Sequence, residues 1–124
     1  MKAFVYHVQK PSINGVNPAD SGGAAGGTTV TISGAFFPSA NNAQVKFGTL
    51  TAFVNLDPAL SNANQLTVTA PPTSAAPPTC TGGNPANTNQ VVSTVDITVT
   101  DAATTCFVIA TGAFQYTLPC VAAP

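Results

Sequence analysis

Gly26-Gly27-Thr28-Thr29-Val30-Thr31-Ile32-Ser33-Gly34 is the stretch that decides the fold of this chain. The two glycines at its start are typical of a tight turn, because glycine adopts positive φ angles without a steric penalty. From residue 29 to residue 33, polar residues alternate with Val30 and Ile32. This period of two places polar side chains on one face of a strand and apolar side chains on the other. The stretch therefore predicts a short, half-buried strand that lies between two turns.

The other predicted strands show the same alternation or a similar composition. They comprise residues 12–18, 44–48, 49–55, 65–70, 95–100 and 105–116. Gly112 interrupts the last of them and predicts a β-bulge. No segment carries apolar residues at helical spacing. About seven short strands separated by turn signals predict an all-β, immunoglobulin-like sandwich of two sheets.

The composition excludes several classes of function. Charged residues make up 6% of the 124 residues, and the basic ones are three lysines. A nucleic-acid-binding protein needs a basic surface that displaces counterions from phosphate, so this class is excluded. No apolar run approaches the roughly 18 to 20 residues that span a membrane, so we expect no membrane insertion. The polar surface must be built from Thr, Ser, Asn and Gln, as is common in secreted and cell-surface bacterial modules.

A series of short motifs, taken in chain order, resembles the IPT/TIG domain. This immunoglobulin-like domain occurs in plexins, in Rel-type transcription factors and in many bacterial surface proteins. The motifs are Pro11-Ser12-Ile13 with Val16-Asn17-Pro18, the stretch 26–34 with Phe36 or Phe37, Val45-Lys46-Phe47-Gly48, Leu66-Thr67-Val68-Thr69-Ala70-Pro71, Val95-Asp96-Ile97-Thr98-Val99-Thr100 and Phe114-Gln115-Tyr116. We place the domain at residues 11–119, followed by a linker over residues 120–124. The chain departs from the family pattern in a long loop over residues 72–93 and in its cysteines.

Residues 1–10 form a separate N-terminal strand or linker in our interpretation. Lys2-Ala3-Phe4-Val5-Tyr6 resembles Gly112-Ala113-Phe114-Gln115-Tyr116 near the end of the chain. In the family, Phe-x-Tyr closes one domain before the next begins, so the resemblance implies that Phe4 and Tyr6 end a preceding repeat of a tandem array. The alternative is that this segment, with Val8, is a strand donated to another subunit, because a strand without a partner is a template for pairing.

The three cysteines, Cys80, Cys106 and Cys120, leave at least one thiol without an intrachain partner. In the immunoglobulin-like topology, the loop before the sixth strand and the end of the seventh lie at the same end of the sandwich. This topology favours a Cys80–Cys120 disulfide, and the length of the loop leaves a Cys80–Cys106 bond as the alternative. Either bond supports an oxidising, extracellular location. Three reduced thiols in a cytosolic protein are the remaining interpretation.

The sequence offers almost no material for catalysis or metal binding. His7 is the one histidine, and nothing near it supplies the nucleophile or the further ligands of a catalytic or zinc site. We assign the carboxylates to turns and to the solvent face of a strand. They belong to Asp20, Asp57, Asp96 and Asp101. We therefore expect no catalytic residue, no metal and no cofactor, and the chain is not predicted to be an enzyme.

Phe36 and Phe37 are the candidate contact residues. Neighbouring residues of an extended segment point to opposite sides, so only one of the two points inward. The other is available to a sugar ring or to a neighbouring domain. We expect the remaining aromatic side chains to lie in the core. These are Phe47, Phe53, Phe107, Phe114 and Tyr116.

These observations predict a non-catalytic, extracellular structural or adhesion module of a larger bacterial surface protein or surface assembly. Its expected partners are neighbouring domains of the same chain or copies of itself. The alternative is an accessory domain that binds carbohydrate or another surface protein and is attached to an enzyme, as this family's domains are in starch-acting enzymes. Exposed aromatic side chains that form a flat platform would favour this alternative, and burial of all seven phenylalanines would count against it.

Overall fold

The protein is an all-β sandwich in the computed structural model, which describes residues 10–122. Eight strands form two antiparallel sheets of four strands each. The strands are β1 (Ser12–Asn17), β2 (Thr29–Ala35), β3 (Ala43–Phe47), β4 (Leu50–Thr51), β5 (Phe53–Val54), β6 (Gln65–Thr69), β7 (Asn89–Asp101) and β8 (Phe107–Pro119). The predicted immunoglobulin-like sandwich is confirmed.

The stretch that decides the fold contains β2, an inner strand of the first sheet, whose order is β1-β2-β6-β5. Val30 lies opposite Val68 and Ile32 lies opposite Leu66 across the β2–β6 pair, and all of these side chains are buried. The apolar face predicted from the alternation is therefore the inner face of the sheet. A strand that is paired on both sides and apolar on its inner face anchors this half of the sandwich.

The second sheet has the order β4-β3-β7-β8 and completes the core. Val45 and Phe47 of β3 face inward opposite buried residues of β7. The rings of Phe47 and Phe114 meet edge to face with centroids 4.9 Å apart, and the rings of Phe114 and Tyr116 do so at 5.2 Å. These three fully buried aromatic side chains are the largest in the core that the structure describes.

The hairpin arm predicted over residues 49–55 divides between the two sheets. β4 pairs with β3, whereas β5 pairs with β6 in the opposite sheet. Ala52 lies buried between them, and its N–H donates to the carbonyl oxygen of Val45 at 2.8 Å. This change of sheet raises the number of strands to eight.

The long loop predicted over residues 72–93 is shorter in the structure, because β7 begins at Asn89. Residues 89–91 pair with residues 117–119 of β8. The polar composition of residues 73–89 indicated a loop, but β8 supplies the hydrogen bonds and neighbours that make residues 89–91 a strand. Cys120 follows this pairing and is buried. It therefore belongs to the domain and not to a C-terminal linker over residues 120–124.

The two ends of the sandwich are built from different loops. We call one of them the Phe36 end, and it comprises residues 36–42, 55–64 and 102–106. Backbone hydrogen bonds join these loops, from the N–H of Phe37 to the carbonyl oxygen of Ala63 and from the N–H of Ala102 to that of Asn42. The Phe36 end is therefore a continuous surface.

The opposite end, which we call the disulfide end, comprises residues 18–28, 71–88 and 120–122. The N–H of Cys80 donates to the carbonyl oxygen of Val121 at 2.8 Å. Lys10 lies at the Phe36 end, with its Nζ 5.9 Å from the ring centroid of Phe107 at the start of β8. The described chain therefore enters at one end of the sandwich and leaves at the other.

Two positions favour glycine over any other residue, one because of a close approach between backbones and the other because of a positive φ angle. A Cβ atom on Gly34 would overlap the carbonyl oxygen of Ser12, so glycine lets β1 close onto β2. Gly112 has a φ of 61°, and its N–H donates to Asp96 Oδ1 at 2.8 Å. The predicted bulge lies at this position, where residues 111–113 of β8 are opposite Asp96 alone.

Several sequence predictions concern residues outside the described part of the chain. Residues 1–9 include Phe4, Tyr6, His7 and Val8, so both interpretations of the N-terminal segment fall outside it. Between residues 10 and 122, no helix has the length and apolar character needed to cross a membrane.

Candidate functional site

Phe36 and Phe37 point to opposite sides of their loop. Phe37 is buried, and its N–H donates to the carbonyl oxygen of Ala63 at 3.0 Å. Phe36 is 53% exposed. Its φ of 60° lies in the left-handed region that residues other than glycine seldom adopt. The fold therefore holds the Phe36 ring at the surface in a conformation that costs on the order of 1 kcal/mol.

A cleft of about 500 Å³ opens beside this loop at the Phe36 end. It lies between the loop that contains Phe37 and the turn over residues 55–64. Its lining residues are Phe37, Ser39, Ala40, Asn41, Leu56, Pro58, Ser61, Asn62 and Ala63. Leu56 is exposed in this lining, and Leu60 is exposed in the same turn. The sequence predicts exposure for neither leucine, because an isolated leucine in a turn carries no local signal of exposure.

The polar lining of the cleft is uncharged, and part of it is engaged in holding the turn. Ser61 Oγ accepts a hydrogen bond from the N–H of Thr67 at 3.1 Å and donates one to its carbonyl oxygen at 3.4 Å. Asn62 Nδ2 donates to the carbonyl oxygen of Pro58 at 3.3 Å, and Asn62 Oδ1 accepts from the N–H of Asn64 at 2.9 Å. The cleft therefore fits an uncharged, partly apolar partner better than an ion.

The core positions predicted for Phe53 and Phe107 are wrong. Phe53 is 72% exposed, because the buried Ala52 before it turns Phe53 outward from the sheet. Phe107 is half-exposed on the outer face of the second sheet, since its neighbour Val108 faces inward opposite Val99. The three exposed phenylalanines, including Phe36, lie on separate elements, and none stacks on another in the described part of the chain.

The disulfide end combines a cross-link with exposed apolar side chains. Cys80 and Cys120 form a disulfide with their Cα atoms 4.9 Å apart, which joins the long loop to the end of β8. Cys106 lies at the Phe36 end and is a free cysteine. Val121 is exposed at the disulfide end, and Val91 is exposed near the start of β7, which follows the loop of this end. Both ends of the sandwich therefore present apolar side chains to solvent.

Comparison with protein-family models accounts for the arrangement of the strands. The model of the IPT/TIG domain matches residues 11–115, from β1 well into β8. The chain belongs to the IPT/TIG family. The resemblance drawn from the ordered motifs is thereby confirmed. No curated protein matches the chain.

The carboxylates of this IPT/TIG domain are engaged with its own backbone. Three of them each accept the N–H of the residue two positions further on, at 2.9 to 3.0 Å. They belong to Asp20, Asp57 and Asp101, and Asp96 bonds to the bulge at Gly112. Within residues 10–122, no three side chains of His, Cys, Asp or Glu come together as a metal site. IPT/TIG domains are generally non-catalytic, immunoglobulin-like modules.

Tyr116 makes the free energy of unfolding of the domain vary with pH in the alkaline range. Its hydroxyl is buried and donates a hydrogen bond to the carbonyl oxygen of Pro71. Burial raises the pKa of Tyr116 above its ordinary value of 10.0, because the phenolate would lose its hydration. Above about pH 10 the unfolded chain therefore loses this proton more readily than the folded domain. We expect the free energy of unfolding, measured in urea between about pH 8 and pH 11, to fall as the pH rises.

The Tyr116→Phe variant separates this effect from general alkaline destabilisation. At neutral pH the free energy of unfolding of this variant should be about 1 kcal/mol lower, because the Pro71 carbonyl oxygen loses its hydrogen-bond donor. Above about pH 10 its free energy of unfolding should fall less steeply than that of the unchanged chain. Tyr6→Phe, which retains Tyr116, is the control. Equal alkaline slopes for Tyr116→Phe and the unchanged chain would contradict the prediction.

Proposed function

We propose that this IPT/TIG domain is a non-catalytic, extracellular structural or adhesion module of a larger bacterial surface protein or surface assembly. It acts through end-to-end contacts with neighbouring domains of the same chain or with copies of itself. The observation that carries this proposal is Phe36, which is half-exposed in a left-handed conformation. Backbone strain of this kind persists only where the surrounding fold imposes it, and such positions cluster at functional sites.

The two ends of the sandwich suit contact with each other. The Phe36 end exposes Phe36, Leu56 and Leu60, and the disulfide end exposes Val121, with Val91 exposed next to it at the start of β7. Covering such surfaces is favourable by about 25 cal/mol for each Å² of apolar area. Because the two surfaces differ and lie at opposite ends, their contact is head-to-tail and repeats along a row of domains.

Two further features support an extracellular module that packs against its neighbours. The Cys80–Cys120 disulfide is typical of proteins in oxidising compartments outside the cytosol. The formal net charge of the chain is -1, so electrostatic repulsion between adjacent copies is weak. The chain also enters at the Phe36 end and leaves at the disulfide end, which allows domains to follow one another along one polypeptide.

Two copies joined in tandem test this proposal. In a head-to-tail pair, the disulfide end of the first copy faces the Phe36 end of the second copy. We expect the free energy of unfolding of the second copy to be about 2 kcal/mol higher than that of a single domain, because the exposed part of one phenylalanine side chain becomes covered. Urea denaturation of the tandem pair and of the single domain measures this difference.

The position of Phe36 within the tandem pair supplies a matched control. Phe36→Asn in the second copy should remove this gain in the free energy of unfolding, because asparagine tolerates the left-handed conformation but has no ring to cover. The same substitution in the first copy should leave the gain intact, since that residue faces no neighbour. Equal stabilities of the single and tandem domains would contradict the proposal, and so would equal effects of the two substitutions.

The second candidate function is binding of carbohydrate or another surface protein by an accessory domain attached to an enzyme. Two features of the Phe36 end favour it: the exposed ring of Phe36, and a nearby uncharged cleft lined by Phe37 with polar groups such as Ser39 and Asn41. Calorimetric titration of the single domain with maltooligosaccharides tests this candidate. Binding should be lost in Phe36→Asn and retained in Phe53→Asn. No heat of binding at millimolar ligand would exclude maltooligosaccharides as the ligand.

A further inference from the structure

The outer edge of β8 is covered over only part of its length. β8 is an edge strand of the second sheet. At Gln115 the edge is closed, because its N–H donates to the carbonyl oxygen of Ala19 at 2.9 Å and its carbonyl oxygen accepts the N–H of Ser21 at 3.0 Å. Ser21 Oγ also bonds to the backbone of Thr117. Among residues 10–122, no segment pairs with the edge over residues 107–111.

The backbone groups of Phe107 and Ile109 point to this open edge. The N–H of Asp101 donates to the carbonyl oxygen of Cys106 at 2.8 Å, which marks a hydrogen-bonded position of the β7–β8 ladder. Bonded and non-bonded positions alternate along an antiparallel ladder, so Phe107 and Ile109 occupy non-bonded positions. Their N–H and C=O groups therefore face away from β7, where a further strand would lie.

The side chains along the open edge also suit a further strand. Phe107-Val108-Ile109-Ala110-Thr111 contains no charged residue and no proline, the features by which proteins commonly protect exposed edges. Phe107 and Ile109 are each 49% exposed on the outer face of the sheet. A strand added beside them would cover apolar area as well as pair with the backbone.

The chain itself contains a segment that fits this edge. Ala3-Phe4-Val5-Tyr6-His7-Val8 lies in the nine residues that precede the described part of the chain. Every second residue of it is large and apolar or aromatic, so a strand would place these side chains on one face. The segment joins the domain at Lys10, close to Phe107. Nine extended residues span on the order of 30 Å, which is enough to reach a neighbouring copy.

The direction of the chain favours a second copy over the same copy. Lys10 lies near Phe107, and Asp20 forms a parallel bridge with Gln115, so residues 10–20 run in the same direction as β8. A strand paired with its own β8 edge would require the chain to reverse just before Lys10. Gln9-Lys10-Pro11 predicts no reversal at Lys10, because it contains no glycine, asparagine or aspartate and Pro11 restricts Lys10 to extended conformations.

We propose that residues 3–8 of one copy pair with the open edge over residues 107–111 of β8 in a second copy. This inference rests on the proposed function and names the partner as another copy of the same chain. The donated segment and the accepting edge are different parts of the molecule. Each copy therefore accepts a strand from one neighbour and donates its own strand to the other neighbour. The contact repeats along an open-ended row of copies.

Complementation between two variants tests the inference. A chain that lacks residues 1–8 retains the open edge but has no strand to donate. Ile109→Pro retains the strand but removes the central N–H of the edge, at a position where β7 does not use that N–H. We expect each variant alone to be monomeric by light scattering after size exclusion, and an equimolar mixture to form a 1:1 pair. The unchanged chain should form species whose mass rises with concentration.

A charge substitution provides a second acceptor variant that retains all backbone donors. Ile109→Lys should weaken assembly at least tenfold, because lysine on an edge strand opposes pairing. Gln44→Lys is the matched control, since Gln44 is exposed on β3, away from this edge in the same sheet. It should assemble like the unchanged chain. Circular dichroism and thermal unfolding of each monomeric variant check that the sandwich is intact.

Three results would overturn the inference. The first is an unchanged chain that stays monomeric, or a mixture of the two variants that forms no pair. The second is a monomeric unchanged chain that loses stability when residues 1–8 are deleted, which indicates pairing within one copy. The third is assembly that survives both the deletion and Ile109→Pro. That third result would be consistent with the end-to-end contacts of the proposed function, but it would contradict pairing through a donated strand.

Discussion

Replacing Phe114 with alanine is expected to lower the free energy of unfolding by about 4 kcal/mol. Phe114 is fully buried between the sheets, and its ring meets the rings of Phe47 and Tyr116 edge to face at 4.9 and 5.2 Å. Alanine would leave a cavity that the densely packed neighbours fill only in part. Urea unfolding followed by circular dichroism measures the loss.

Phe53→Ala is the matched control for this substitution. It removes the same side chain from a position that is 72% exposed, so the free energy of unfolding should change by no more than about 0.5 kcal/mol. Similar losses in the two variants would contradict the prediction. They would mean that the aromatic cluster of Phe47, Phe114 and Tyr116 does not form the centre of the core.

Replacing both Cys80 and Cys120 with serine is expected to destabilise the domain by a comparable amount, about 4 kcal/mol. The two cysteines are 40 residues apart, and a cross-link across a loop of this length restricts the unfolded chain strongly. The buried position of Cys120 adds to the effect, because serine would place a hydroxyl group in an apolar site. Urea unfolding of the variant and of the unchanged chain measures the difference.

Cys106→Ser is the control for the double substitution, because Cys106 is the free cysteine and its replacement leaves the disulfide intact. A reductant should lower the stability of the unchanged chain and of Cys106→Ser to nearly that of the double variant. The double variant itself should not respond to reductant. If reductant leaves the unchanged chain as stable as before, the disulfide does not contribute as predicted.

These two predictions concern different sources of stability in the IPT/TIG domain. The aromatic cluster acts through the folded state, by close contact between side chains of the core. The disulfide acts mainly on the unfolded state, and it also holds the loop over residues 71–88, in which the structure has no regular strand. Loss of the disulfide should therefore increase hydrogen exchange first at the disulfide end, where Val121 lies.

Local patterns in the sequence determined the fold class and the family. Alternation over residues 29–33 identified the inner face of β2, because side chains of a strand point to its two faces in turn. The order of the motifs from β1 to β8 identified the IPT/TIG family. The adjacency of Phe36 and Phe37 also determined that one ring of this pair would face outward, although not which one.

Only the tertiary structure decided which apolar residues are covered. Phe53 and Phe107 occur in apolar, strand-like segments, yet both are exposed, because burial depends on which face meets the opposite sheet. Residues 89–91 are strand because β8 lies beside them, and the polar loop composition that leads up to Asn89 did not predict it. The open edge of β8 likewise follows from its place at the end of the sheet order. Pairing and coverage are contacts between distant parts of the chain, and a local pattern specifies neither.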